Sequence, residues 1–443
     1  MKKSAAVELV VDRLLPAATS EWTRLDTIDG WLRWSPEHLQ IPNHANREQK
    51  NLRDLSESGW MGLVVTNLAQ QLFAEQIRST VRHRVKDEIV SPIWVPWLRN
   101  RMPSRQRAIH RAALGYGYAY TTVMPGDTGA VIRGWSPRQM FAVYQDAVVD
   151  EYPMYYLRKN GTNGYHLVDE DSVITLVMQD GRMQWVDEQR HDTGVAPAIR
   201  YSNQIDLEGR TPGEVEPLIR PAKRVNKTTY DRLLQQHYNS WKVRTATGLD
   251  MPSDPTDRER AKLLMRQEDI LVGEGDVKFG TLDETPLAGI ISAEDRDVES
   301  FAALAQMPLH NLTGKMANLS ADAIVEARSM LDLKAGERKV GFGDSHAQTL
   351  RLAAHQEGRE DDASDFTLTV DWRDLESRSM NQAADALGKL ATMLKIPVEL
   401  LWDHVPGITP DIAADWLRYK EEHPSAEELL AAAVNGQSSG ANG

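Results

Sequence analysis

The 443 residues contain no cysteine. That absence excludes disulfides, thiolate metal sites and cysteine nucleophiles, and it fits folding in a reducing cytosol. Long apolar runs are missing too: nothing approaches the roughly 18 residues needed to cross a bilayer, so no membrane-embedded part is expected. Near the N-terminus Val7, Leu9, Val10 and Val11 are interrupted by Glu8 and Asp12, which argues against a secretory signal. Positive charge is in deficit, with 51 Lys and Arg against 64 Asp and Glu and a formal net charge of −13. A protein that grips nucleic-acid phosphates over its whole surface is thereby disfavoured, because such affinity comes from Lys and Arg neutralising phosphates. Any such contact must be local or weak.

What is present reads as a globular chain, with 41% hydrophobic and 26% charged residues, long enough for several domains or for one large subunit of an assembly. Charge is unevenly spread. From Glu357 to Glu428 there are 17 acidic and seven basic residues, whereas Arg99, Arg101, Arg105, Arg107 and Arg111 crowd a short stretch without an acid. That stretch is suited to phosphate or to an acidic neighbour, or serves as a solvated helix face.

Along the chain, Asn46 to Ala74 and a run opened by Ser104 have helical periodicity. Between them Ser91-Pro-Ile-Trp-Val-Pro-Trp97 is expected as a packed loop or edge, since Pro92 and Pro96 remove amide donors. Tyr118 to Tyr201 is β-prone and punctuated by turns, with Val173 to Met178 and Arg182 to Val186 joined by Asp180-Gly181 as a hairpin. Thr211-Pro-Gly-Glu214 has the form of a helix start, Thr211 capping and Glu214 reaching back, although Pro217 and Pro221 delay regular helix. Beyond it Leu218, Ala222, Val225, Thr229 and Leu233 share one helical face, and Arg220, Lys223 and Lys227 fall on another. Ser292 with Asp295 is expected to open a helix that Met307-Pro308 ends, and Leu309 to Leu319 to be a loop centred on Gly314. Ser320 is placed to cap the following helix, which Gly336, Gly341 and Gly343 should weaken or bend. Phe366 to Trp372 alternates as a strand, Ser379 to Leu394 and Pro410 to Glu422 are helical, and Gly436 to Gly443 is a polar tail.

A search for chemistry finds none with supporting context. Thr313-Gly-Lys315 is followed by Met316, so the phosphate-cradling loop of an ATPase is incomplete. Gly115-Tyr-Gly117, Gly273-Glu-Gly275 and Gly341-Phe-Gly343 lack the third glycine of a dinucleotide fingerprint. Gly436-Gln-Ser438-Ser-Gly440 sits in a tail with no strand before it. His346 and His355 are spaced too widely to chelate one metal from a helix face. Glu360, Asp361, Asp362 and Asp365, or Asp411 with Asp415, could hold Mg²⁺ for a nuclease, but a solvated acidic face accounts for them more simply.

Three segments, Ala108-Ile-His-Arg-Ala-Ala-Leu-Gly-Tyr-Gly-Tyr118, Trp135-Ser-Pro-Arg-Gln-Met-Phe-Ala-Val-Tyr144 and Glu216-Pro-Leu-Ile-Arg-Pro-Ala-Lys-Arg-Val-Asn-Lys-Thr-Thr-Tyr-Asp231, carry a resemblance. With Pro308-Leu-His-Asn-Leu-Thr-Gly-Lys, Asn318-Leu-Ser-Ala-Asp-Ala-Ile-Val-Glu-Ala and Thr369-Val-Asp-Trp-Arg-Asp, and in this order, the chain resembles the portal proteins of tailed double-stranded DNA bacteriophages. The likeness is to the type common in phages of Gram-positive and actinobacterial hosts, and it spans nearly the whole chain.

The resemblance implies an α+β, mainly helical fold with wing, stem, clip and crown regions, assembling as a ring of about twelve copies. The implied parts are an N-terminal wing over 1–210, helical then β-rich; a first stem helix over 211–241; a clip over 242–291; a second stem helix over 292–308; and a channel loop over 309–319. A long wing helix and return strand over 320–376, a C-terminal crown over 377–433 and a disordered tail over 434–443 complete it. It also implies no enzymatic activity and no cofactor. The function implied is a channel at one capsid vertex for packaging and ejecting genomic DNA. The implied partners are duplex DNA, the terminase large subunit, the major capsid and scaffolding proteins and a head-completion adaptor, with no membrane. The site would be the virion portal vertex, reached from the host cytoplasm during assembly. Residues expected near DNA are Asn311, Thr313, Lys315 and Asn318 in the loop, then Lys223 and Lys227 on the stem; polar contacts to another subunit are the plainer role for all six. An acidic lining with few weak contacts lets a duplex slide where a cationic one would hold it. The rivals are a head-assembly adaptor without a pore and a Mg²⁺-dependent nuclease.

Overall fold

The computed structural model describes residues 2–33, 39–79, 92–240, 244–247, 254–256, 278–281, 286–314, 321–373, 380–405, 407–408 and 410–424. They divide into two compact units. The first comprises the described residues up to Leu72 with Arg105–Thr122 and Arg133–Ser345; the second comprises Phe73–Ser104, Val123–Ile132 and the described residues from His346 onward.

The first unit begins with α1 (Lys3–Leu9), a π-helical turn at Val10–Leu14 and α2 (Leu15–Leu32). The extra residue per turn lets Ala6, Val10, Leu14, Ala18, Trp22 and Leu25 all be buried on one face. The helical run expected from Asn46 divides into α3 (Arg47–Ser56) and α4 (Trp60–Gln70), because the stretch Glu57 to Gly59 leaves helical geometry. Asn46 accepts from the Gln49 amide and the Gln49 side chain accepts from the Asn46 amide, a reciprocal cap that fixes the start of α3.

Strand β1 (Ala74–Ser79) follows and pairs with the late strand β12 (Leu368–Trp372), both in the second unit. In that unit the Pro and Trp cluster is not a loop. A 3₁₀ turn at Pro92–Trp94 leads into α5 (Val95–Arg99), with Pro96 in the first turn, where a missing amide costs no hydrogen bond. Trp97 is fully buried, stacked 4.9 Å from Trp94 and meeting His346 edge-on at 4.7 Å. Packing of the aromatic faces therefore overrides the breaker reading.

Helix α6 (Met102–Tyr116) precedes β2 (Tyr118–Met124), β3 (Val131–Trp135), β4 (Met140–Val143), β5 (Tyr155–Asn160), β6 (Gly164–Val168), β7 (Ser172–Gln179), β8 (Arg182–Arg190) and β9 (Ala198–Ser202). One sheet runs β3-β2-β9 and a five-stranded antiparallel meander runs β4-β5-β6-β7-β8. Tyr118, Tyr120, Met140, Tyr156, Val168 and Ala198 form a buried cluster contributed by both. The β7–β8 hairpin turns through Asp180 and Gly181, both at positive φ (51° and 74°), with Gln179 opposite Arg182. That is the two-residue turn whose twist matches the strands it joins.

No helix starts at Thr211. The chain there is irregular, a 3₁₀ turn occupies Glu216–Leu218, and α7 runs from Ile219 to Ser240. Gly117, at φ 103°, explains the path: a Cβ there would stand 2.0 Å from the Thr211 carbonyl oxygen, so this loop packs directly on the backbone after α6. Glu214 is buried in an ion-paired cluster instead of capping a helix.

Strands β10 (Arg244–Thr247) and β11 (Lys278–Thr281) pair antiparallel; most of the 242–291 segment lies outside the described residues. Helix α8 spans Ala288–Ala305, beginning before Ser292, and Gln306 in the left-handed region (φ 54°) closes it ahead of Met307-Pro308. The stretch read as loop opens with a short helix, α9 (Leu309–Thr313), closed by Gly314 at φ 67°. Ser320 and its expected cap lie outside the described residues.

Helix α10 (Ala321–Gln356) continues through all three glycines. Each glycine weakens a helix by about 1 kcal/mol relative to alanine, but tertiary packing outweighs this. Leu331, Ala335, Arg338, Phe342, His346, Thr349, Leu350 and Ala353 are buried along its length. The second unit adds α11 (Glu360–Ala363), β12, α12 (Met380–Met393), a 3₁₀ segment at Val398–His404 and α13 (Pro410–Glu422).

Candidate functional site

The described candidate site residues fall on α7 and α9, both in the first unit. Helix α7 buries Ala222, Val225, Asn226 and Tyr230 and leaves Arg220, Lys223, Arg224 and Lys227 exposed. The periodicity separates an apolar face from a basic one because residues three and four apart share a side. Lys227 pairs with Asp231 one turn on, so its charge is partly answered within the helix. Lys223 projects its ammonium 5.8 Å from the Trp31 ring centroid and has no carboxylate partner among the described residues.

Helix α7 is clamped to α8 by polar contacts in series. Arg224 and Thr228 reach the two Asp297 oxygens at 2.9 and 2.6 Å, Thr229 donates to Glu294 at 2.9 Å, and Arg232 also pairs with Glu294. Two carboxylates one turn apart on α8 thus meet hydroxyls and guanidinium groups spaced one turn apart on α7, which fixes the register of the pair.

Asn311 and Thr313 come together on α9. Both are half-buried; Asn311 lines a cleft beside His310, and the Thr313 hydroxyl donates back to the Leu309 carbonyl at 3.1 Å. Lys315 and Asn318 lie outside the described residues. The structure therefore brings the two described loop candidates together and leaves Lys223 and Lys227 on a separate element.

Several buried, paired charges are ones that sequence reasoning placed wrongly or missed. Glu214, expected as a helix cap, is buried and accepts from Lys334 at 2.5 Å and Arg338 at 3.2 Å. Arg338 also donates to Asn203 Oδ1 at 2.8 Å, and the Asn203 amide donates to the Pro212 carbonyl at 3.0 Å. Lys334 further donates to the Ala305 carbonyl at 3.1 Å, satisfying a terminal carbonyl of α8. One carboxylate thus joins α10, the end of α8 and the approach to α7. The available signal was Lys334 and Arg338 one turn apart on a helix, but nothing local says that such a pair faces inward.

Of the arginine stretch, Arg99 pairs with Glu357 at 2.8 Å and donates to the Thr128 carbonyl at 2.6 Å. Burial alone would raise the Glu357 carboxyl; the Ala130 amide, Arg99 and Arg359 outweigh it and hold the group below its ordinary value. The acidic neighbour of Arg99 is thus in the same chain. The proposed Mg²⁺ carboxylates are dispersed: Asp362 pairs with Arg359, Asp365 accepts from Thr367, Glu360 meets His355 and Asp415 meets Arg418. Among the described residues no group of three or more His, Asp and Glu could hold a metal, and no helix is long and apolar enough to cross a membrane.

Among the described residues, polar and charged groups pair α7 with α8 and α10 with the chain before α7, and a β-rich part accompanies them. The family model described as "Phage portal protein, SPP1 Gp6-like" matches residues 18–428, and the chain belongs to that family: it is a portal protein, the subunit that forms the channel at a capsid vertex. The family is structural and non-enzymatic. Among solved structures the chain is similar to one described as "Neck of native GTA particle computed with C12 symmetry", at 12% identity and TM-score 0.48 over 83% of this chain and 96% of that one. It is also similar to one described as "Neck of empty GTA particle computed with C6 symmetry", at 12% identity and TM-score 0.44 over 81% and 96%. No curated protein matches.

Proposed function

We propose that copies of this chain close into a ring whose channel passes genomic DNA during packaging and ejection, with α7 and α8 as stem helices and α9 with the residues after it as the channel loop. The family match over 18–428 carries this reading, and the α7–α8 clamp supports it, since a stem under load needs its two helices fixed in register. Asn311, Thr313, Lys315 and Asn318 are the loop residues assigned to the duplex, with Lys223 and Lys227 secondary. The pairing of Lys227 with Asp231 suits a weak contact that lets DNA move. The wing, clip and crown take the boundaries given above. The ring docks the terminase large subunit and later a head-completion adaptor, sits among major capsid and scaffolding proteins, assembles in the host cytoplasm, and catalyses no reaction itself.

The test is the mass of the purified full chain by light scattering coupled to size exclusion, with negative-stain images of the same peak. A particle of about twelve copies with a central hole is expected. A stable compact dimer would overturn the channel reading.

A further inference from the structure

A cleft of about 480 Å³ in the first unit shares Asn311 with the proposed channel loop, and its other side chains have no part in the channel reading. Helix α4 lends it Asn67, Gln70 and Gln71, α9 lends His310 and Asn311, and α10 lends Arg328. Among the described residues no carboxylate lines it, in a chain of net charge −13. Arg328 makes no ion pair with any described residue, although most guanidinium groups around α7 and α10 are answered by acids, as Arg224, Arg232 and Arg338 are. The Asn67 Nδ2 is buried and has no acceptor among the described residues. A buried donor left unpaired costs about 1–3 kcal/mol and is uncommon in native proteins. A cleft with one unpaired cation, an unmet donor and no acid among its described lining residues is matched to an anionic ligand rich in hydrogen-bond acceptors.

We propose that this cleft takes a phosphate oxyanion, supplied as the phosphodiester of a nucleic-acid strand or as free phosphate. The Arg328 guanidinium presents a planar fork of donors that fits two phosphate oxygens. The amides and imidazole stand on α4 and α9, so polar groups line the cleft from more than one helix, an arrangement that suits the several acceptor oxygens of a tetrahedral oxyanion. One formal positive charge balances one phosphodiester. The volume exceeds that of a bare phosphate and leaves room for an attached sugar. The strand source rests on the channel reading, because α9 heads the proposed loop; binding of free phosphate does not rest on it.

The experiment is ³¹P NMR of inorganic phosphate titrated with the purified full chain, repeated with a short single-stranded oligodeoxynucleotide and with acetate as competitors. Line broadening is expected with the natural chain. R328Q should bind about tenfold more weakly, the loss of one charged hydrogen-bonding partner, and H310A should bind more weakly too. R105Q, which changes an exposed arginine of α6 outside the cleft, should match the natural chain. Circular dichroism checks that each variant is folded, and H310A with R328K carries the test if R328Q is not. Competition by the oligonucleotide supports the strand phosphodiester, and phosphate binding without it supports free phosphate. Absence of broadening, equal broadening by folded R328Q, or displacement by equimolar acetate would overturn the proposal, the last pointing to a protein carboxylate. The ring measurement stands apart, so an empty cleft in a protein that forms rings removes this inference alone.

Discussion

His110 shows how much one side chain can be asked to do. It is fully buried on α6, its ring stacked 5.0 Å from Phe342 of α10 and its Nδ1 3.3 Å from the Leu72 carbonyl. Burial depresses its pKa from 6.5 to about 4, and the Leu72 carbonyl only partly opposes this. The unfolded chain therefore binds a proton that the folded chain excludes. The stabilisation is complete above pH 6.5 and is lost as pH falls toward 4, at about 1.4 kcal/mol per pH unit. Between pH 7 and 5 the natural chain should lose about 2 kcal/mol more than H110Q, read from urea midpoints at the two pH values. Equal losses in both chains would place the acid sensitivity elsewhere. Glu214 is the second residue on which much depends. Glu214→Ala leaves the buried Lys334 with only the Ala305 carbonyl and Arg338 with Glu337 and Asn203, and should cost about 3 kcal/mol, whereas replacing Glu214, Lys334 and Arg338 together with apolar residues of similar volume should cost far less. Neither residue was legible in its role. His110 sits in the segment that carried the family resemblance, but its burial depends on Phe342, far along the chain. Glu214 fits a capping motif by spacing, and the Gly117–Thr211 approach denies the backbone the helical path that the motif needs.

At the scale of elements, periodicity and turn chemistry were informative where the deciding interactions are local. The Asp180-Gly181 hairpin, the end of α8 before Met307-Pro308, and the helices at 380–393 and 410–422 were all readable for that reason. Elements decided by partners were misread. The Pro and Trp cluster becomes helical because Trp97 packs between Trp94 and His346, and α10 passes its glycines because its buried side chains hold it. Gly336 offers a direct check: it is helical, and a methyl group added to its Cα would meet nothing within 4 Å. Gly336→Ala should therefore stabilise the chain by about 0.5–1 kcal/mol. Gly117→Ala should destabilise it by more, because φ 103° and the Thr211 carbonyl both oppose a side chain. Urea midpoints of the two variants moving in the same direction would show that the backbone constraints are misassigned.

For the whole molecule, the surface is as telling as the core. Met393, Leu394, Leu400 and Tyr419 in the C-terminal segment are each at least 65% exposed, and Leu333 on α10 is 73% exposed. Exposed apolar groups are informative where they form one contiguous patch, which marks an interaction surface. A ring offers repeated interfaces that would cover such groups, and the light-scattering measurement decides whether copies associate. If the ring forms, apolar-to-polar changes at these residues are the natural next probe of where its copies touch.

By itself the sequence determined the absence of thiol chemistry and of a membrane-crossing helix, the helix and strand segments set by local periodicity, and membership of the portal family, whose signature is an order of short patterns spread along the chain. Those are properties of composition and neighbours a few residues apart. Tertiary structure alone decided that Glu214 joins Lys334 and Arg338, that α10 is continuous, that α7 locks onto α8 through Asp297 and Glu294, and that Asn67, His310 and Arg328 border one cleft. Each joins residues distant in the chain, and burial or pairing of a charge is fixed by what stands opposite it in space.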